Sequence, residues 1–206
     1  MDFDKVIDFR KTNFSWSNQE VDILLVKKVI NNVISKVPSK QNKFPYCIDV
    51  LDWSDPALRN TIFTHTHRDK AISIYDDPGN PQTLAPVLLV FTHREMSDND
   101  IGKSLELKKP SYKNKIANIE IGIVSAMLML AFENEGLATG LCQCINETVI
   151  LGSYIDRNEI ILLMGVGYPG NKDTYHDPRI NDQKSVPNFH NEKPSLNKIV
   201  TYRLGE

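Results

Sequence analysis

The segment NIEIGIVSAMLMLAFENEGLATGLCQCIN, residues 118–146, decides how this chain is read. Between Ile119 and Phe132 only Glu120, Gly122 and Ser125 interrupt the apolar residues, and two of those three are small. A helix at a protein surface carries one apolar stripe and one polar face. Here the apolar residues run almost all the way round. The pattern predicts a central helix buried on nearly every side, by its own chain or by a partner subunit. Gly136 ends it, and the small residues Ala138, Thr139, Gly140 and Cys142 predict a permissive loop over 138–146. Such a loop lets backbone N–H groups approach a flat ligand.

Working outward, residues 3–9 open as a helix. A second helix from Gln19 to Lys36, capped by Asn18 or Ser17, follows from the spacing of Val21, Leu24, Leu25, Val29, Ile30, Val33 and Ile34. Pro38 stops it, and VPSKQNKFPY is a polar connector. Tyr46–Leu51, PVLLVFT at 86–92 and EIILLMGVGYP at 159–169 predict strands, the last two buried. Residues 54–74 predict a helix started by Ser54 or Asp55 with Pro56 in its first turn. A short helix is expected over 147–153. The lysine-rich stretch 94–115 predicts a polar surface excursion, 170–192 a loop, and KIVTYRL at 198–204 a late strand. Helices interspersed with a few strands, without regular βαβ alternation, indicate an α+β fold.

The composition excludes several function classes. The 206 residues suit a single domain over 1–206, with 41% apolar and 24% charged residues. A net charge of −2 and the lack of a basic stripe predict no nucleic-acid partner. The opening MDFDKVIDFRK does not read as a signal peptide, and the apolar run at 119–132 is shorter than a membrane span. Cys47, Cys142 and Cys144 are an odd set with two close neighbours, which suits a reducing, cytoplasmic setting. Neither a dinucleotide-binding glycine fingerprint nor a P-loop is present.

Three segments carry polar chemistry. Arg10-Lys11-Thr12 sets two cations beside a hydroxyl, a compact grip for a phosphate, although such pairs also occur at solvated helix ends. Pro38-Ser39-Lys40-Gln41-Asn42-Lys43-Phe44-Pro45-Tyr46 is a proline-stiffened loop rich in donors. The third is the helix and loop of 118–146. With Gly165-Val166-Gly167-Tyr168-Pro169 and Lys193-Pro194, their order resembles the nitroreductase-like family of FMN flavoproteins. That family has an Arg-x-Ser motif near the N-terminus, a Pro-Ser-x-x-Asn-x-Gln-Pro-Trp loop after one helix, a long buried helix, and a strand ending in Gly-Tyr-Pro. A basic residue before proline follows near the C-terminus.

The resemblance implies a nitroreductase-like α+β fold: a mixed, mainly antiparallel sheet flanked by helices, in an intertwined homodimer with two flavin sites at the subunit interface. It implies an FMN-dependent oxidoreductase running a ping-pong cycle, in which NAD(P)H reduces the flavin and a small-molecule acceptor such as a nitroaromatic or quinone takes the electrons. Arg10, Lys11, Thr12 and Lys193 would hold the FMN phosphate. Pro38, Ser39, Lys40 and Asn42 would reach the flavin from the partner subunit. Leu141, Cys142, Gln143 and Cys144 would lie along the ring, with a backbone N–H of Gln143 or Cys144 on the flavin N5. No side chain is assigned as a catalytic acid or base. The chain departs from the family pattern at Thr12 for serine, Phe14 for a second cation, Phe44 for glutamine, Tyr46 for tryptophan and Cys144 for a small residue.

Those departures motivate an alternative, a flavin-binding or sequestering protein without efficient turnover. His65-Thr66-His67, with Asp69 or His93, invites a metal-dependent hydrolase instead, but on a helix alternate residues point apart, so no metal site is assigned. Cys142 and Cys144 lack the two-residue spacer of a redox or zinc motif. Arg68 and Lys70 are further candidates for flavin contact, and Tyr112 with its lysines for an anionic substrate.

Overall fold

The computed structural model describes residues 2–66, 79–94, 96, 109–145, 160–185 and 194–201. The expected helix at 147–153, His67, Arg68, Lys70, Asp69, His190 and Lys193 lie outside the described residues.

Helix α1 (Phe3–Phe9) buries Val6 and closes with the Arg10 N–H on the Val6 carbonyl, 3.0 Å. Helix α2 (Ile23–Ile34) starts later than expected. Its cap is Asp22, whose carboxylate accepts the Leu24 N–H at 2.8 Å, not Asn18 or Ser17. The residues before it are held extended instead. Trp16 bridges to Pro169, and the Ser17 N–H donates to the Tyr168 carbonyl at 3.0 Å. Valines 26, 29 and 33 then form the buried stripe of α2.

The sheet forms where the apolar runs predicted strands. Strands β1 (Tyr46–Leu51), β2 (Val87–His93), β3 (Ala138–Cys142) and β4 (Ile160–Gly167) lie in the order β1-β2-β4-β3, all antiparallel. A parallel bridge from Thr12 to Thr139 extends the outer edge of β3. The sheet is covered on both faces. Val87, Leu89 and Phe91 of β2 and Leu162, Met164 and Val166 of β4 pack on α2 and the long helix α4 (Pro110–Asn134). Leu88, Val90 and Leu163 turn the other way, onto Ile62 of α3 (Pro56–Thr64). Continuous apolar strands are what a sheet buried on both faces requires.

Helix α4 corrects two expectations and narrows a third. It begins at Pro110, within the stretch read as a polar excursion. Proline suits the first turn, and the Tyr112 and Lys113 N–H groups close on the Lys109 carbonyl. At 25 residues it is long and apolar enough by length and composition to cross a membrane, while its packed face is that of a core helix. It is also not buried all round by its own chain. Ala117, Glu120, Ile121, Val124, Ser125, Leu128 and Phe132 are buried, whereas Ile119 (49% exposed), Gly122, Ile123 (37%) and Ala126 form an exposed face. A Cβ built on Gly122 would meet nothing within 4 Å.

The region after α4 is a strand, not a loop. Gly136 takes φ +78°, its N–H reaches the Glu133 carbonyl, and the Leu137 N–H reaches the Phe132 carbonyl. This paired closure ends a helix on glycine and releases the chain in a new direction. β3 then pairs with β4 from Ala138↔Gly167 to Cys142↔Leu163. Its small residues serve close packing, since a Cβ on Gly140 would collide with the Asn13 carbonyl oxygen. Residues 170–192 likewise contain a hairpin, β5 (Thr174–Asp177) with β6 (Asp182–Ser185), turned at Asn181 with φ 50°. Buried Tyr175 and Asp177 alternate with half-buried neighbours there. Of the expected late strand at 198–204, Lys198 and Ile199 fall instead in a turn of helix, Leu196–Ile199, and residues 202–204 lie outside the described residues. Of the predicted 54–74 helix, α3 covers Pro56–Thr64 with His65 as its cap, and residues 67–74 lie outside the described residues.

Candidate functional site

The phosphate grip and the edge strand are brought together. Arg10 caps α1 and lies close enough to Glu133 to oppose the upward push of burial on that carboxyl. Lys11 and Thr12 are exposed, and Thr12 bridges to Thr139 while the Asn13 N–H donates to the Thr139 carbonyl at 2.8 Å. Two cations and a hydroxyl on consecutive residues, docked on the outer edge of β3, are a donor set that fits a phosphate dianion.

Further along the same edge, Leu141 is half-buried and its carbonyl accepts from Gln82 Nε2 at 3.3 Å. Cys142 is buried, which pushes its thiol up to about 12. That thiol stays protonated at neutral pH and is a poor nucleophile. Gln143 and Cys144 are exposed, and the Gln143 carbonyl accepts the Ile145 N–H at 2.9 Å.

The second segment lies elsewhere. Pro38 and Asn42 are exposed and Ser39 and Lys40 half-buried, around one 3-10 turn, Lys40–Asn42. The Lys40 N–H donates to Glu120 Oε1 at 2.7 Å, and Lys40 Nζ donates to the Tyr112 hydroxyl at 2.6 Å while lying 4.7 Å from that ring's centroid. Both partners belong to the N-terminal half of α4. Glu133, the neighbour of Arg10, is thirteen residues beyond Glu120, about 20 Å along the helix axis. One chain therefore does not gather its 38–42 loop and its 10–12 grip into one site.

Several residues that hold this loop were not predicted as site residues. Arg94 donates its backbone N–H to the Pro45 carbonyl (3.0 Å), its Nε to the Phe44 carbonyl (2.8 Å) and its Nη2 to the Lys43 carbonyl. The rings of Phe44 and Tyr46 meet edge-on, 6.1 Å between centroids. Glu120 was visible only as an interruption of an apolar run, and that lone carboxylate was the available signal.

The histidines divide. His65 Nδ1 lies 2.7 Å from the Thr61 carbonyl, and His93 Nε2 lies 2.8 Å from Asn118 Oδ1. Among the described residues no group of three His, Cys, Asp or Glu side chains could hold a metal ion. A hollow of about 820 Å³ lies between Trp16, Trp53, Leu84 and His176, and contains none of the predicted site residues. Its charged lining is Glu20, Asp22 and Asp52, the wrong sign for a phosphate.

No protein-family model matches the chain, and no curated protein matches it. Solved structures do. The NADPH:FMN oxidoreductase from Vibrio harveyi, complexed with NAD+, superposes with TM-score 0.70 at 14% identity, covering 99% of this chain and 78% of that one. A nitroreductase family protein from Streptococcus pneumoniae gives 0.67 at 16% identity, covering 98% and 100%. A nitroreductase candidate from Exiguobacterium sibiricum in complex with FMN gives 0.68 at 14% identity, covering 98% of each chain. The chain has the nitroreductase-like fold.

Proposed function

We propose that this protein is an FMN-dependent oxidoreductase acting as an intertwined homodimer, driven by NAD(P)H and passing electrons to a small acceptor such as a nitroaromatic or a quinone. The observation that carries this reading is the separation of the two halves of the site. The grip at 10–12 and the edge of β3 sit at one place, and the loop at 38–42 sits about 20 Å away along α4. Between them the helix exposes Ile119, Gly122, Ile123 and Ala126. An isologous dimer formed on that face lets the loop of each chain complete the grip of the other.

When bound, FMN would supply the redox chemistry, namely hydride acceptance from NAD(P)H and electron delivery to the acceptor. The chain's own residues bind and orient it. Arg10 and Lys11 neutralise the phosphate and Thr12 donates to it, with Lys193 assigned to the same group. Leu141, Cys142, Gln143 and Cys144 line the ring. A backbone N–H of Gln143 or Cys144 is the donor we assign to N5. Pro38, Ser39, Lys40 and Asn42 of the second chain cover the ring and exclude water.

Purified protein is expected to be yellow, with flavin absorbance that NAD(P)H bleaches without oxygen. A colourless protein that takes up no added FMN overturns the reading, and flavin that binds but stays oxidised points to a flavin-holding protein instead. Arg10→Ala is expected to weaken FMN retention by roughly 1.5–3 kcal/mol, the worth of a charge-assisted hydrogen bond. Unchanged retention removes Arg10 from the site.

A further inference from the structure

A carboxylate inside an apolar helix face is costly to desolvate unless it satisfies something. Glu120 is 4% exposed on the packed side of α4. Its Oε1 accepts the Lys40 N–H, while its Oε2 and the buried Tyr46 hydroxyl have no hydrogen-bond partner among the described residues. A leucine or methionine would pack there without that cost. The chain instead keeps an acid whose hydrogen bond, among the described residues, comes from one backbone N–H in a distant loop.

That loop is strained. Gln41 (φ 56°), Asn42 (φ 55°) and Phe44 (φ 46°) are three of the four non-glycine residues with positive φ among the described residues. Side chains clash with the backbone in this region, and such conformations persist only where their surroundings over-determine them. Arg94, at the end of β2, fixes the exit of the loop through the carbonyls of residues 43–45. The Ser39 hydroxyl accepts the Phe44 N–H at 2.8 Å, closing the loop on itself. Glu120 fixes the entry, and does so from α4. Its neighbours Ile119 and Ile123 stand on the exposed apolar face of that helix. One rigid helix therefore carries both the face that would meet a second chain and the anchor of the loop.

We propose that Glu120 is a positioning residue, setting the 39–42 backbone against α4 in the strained form that completes the flavin site of a second chain. The proposal rests on the flavin reading above. It predicts that the acceptor oxygen matters more than the negative charge, because a backbone N–H is what is held.

Two variants separate these roles. Glu120→Gln keeps an acceptor for the Lys40 N–H, and Glu120→Leu keeps the bulk without it. FMN affinity by fluorescence titration and trypsin cleavage after Lys40 and Lys43 are measured on both, with helix content from circular dichroism. Glu120→Gln is expected within about threefold of the unaltered protein, and Glu120→Leu to lose about tenfold in affinity and to be cut faster in the loop. Glu120→Leu matching the unaltered protein in both readouts, or Glu120→Gln failing as badly as Glu120→Leu, overturns the proposal. Should Glu120→Leu fail to fold, Tyr112→Phe decides. It removes the hydroxyl that holds Lys40 Nζ and is expected to speed cleavage after Lys43, and an unchanged rate counts against anchoring from α4. If the unaltered protein binds no FMN, the flavin reading fails alone, because the cleavage comparison still tests the anchor.

Discussion

Asp177 closes β5 with its side chain sealed from solvent. Burial pushes its carboxyl up, but hydrogen bonds and charge from Arg179, with Lys184 behind, prevail and hold it below the usual carboxylate range. Arg179 Nε donates to Oδ1 at 2.8 Å, and its guanidinium lies over the Phe63 ring at 4.0 Å, so the paired arginine ties the hairpin to α3. A carboxyl more acidic when folded stabilises fully above the unfolded value, about pH 4, and the contribution is lost as pH falls through the folded one. The urea midpoint should therefore drop below about pH 4, and Asp177→Asn should flatten part of that limb. Identical acid limbs in both proteins would show that the pair is not responsible. Arg59 is the opposite case, a buried cation with no ion pair among the described residues and only the Coulombic pull of Asp52. Burial lowers it to about 9, yet it stays charged at neutral pH by donating to the carbonyls of Leu51, Thr83 and Ala85.

At the scale of elements, the turn at Gly136 decides where α4 stops and β3 begins. Its φ of +78° is natural only for glycine, and a Cβ there would meet nothing within 4 Å. Gly136→Ala should therefore cost about 1 kcal/mol by backbone strain alone, read as a lower urea midpoint with an unchanged slope. No change would mean that the turn relaxes. This turn also marks how far the sequence could be read. Strands β1, β2 and β4 and the stripe of α2 were legible because their burial follows the apolar pattern. β3 was not, because its small residues answer the approach of Asn13 and Gln82, which no local pattern encodes. The start of α4 was hidden by polar residues in its exposed first turns. Of the candidate site, the segments 10–12, 38–42 and 141–144 were proposed from their order along the chain. Glu120 and Arg94 were not, because their role exists only once the loop has folded against them.

For the whole molecule, the proposed function requires two chains. The exposed face of α4 runs between the 38–42 loop and the 10–12 segment, the two proposed half-sites, which a single chain keeps about 20 Å apart. If each flavin site joins the grip of one chain to the loop of another, defects in the two halves must complement in mixed dimers. Arg10→Ala and the double variant Ser39→Ala with Asn42→Ala should each lose FMN when alone. Unfolded together and refolded as a mixture, half of the dimers carry one chain of each kind, and each such dimer holds one intact site. The mixture should regain about a quarter of the FMN bound by the unaltered protein, counted by flavin absorbance after gel filtration. Recovery near that level supports a shared site, and no recovery above the separate variants contradicts it.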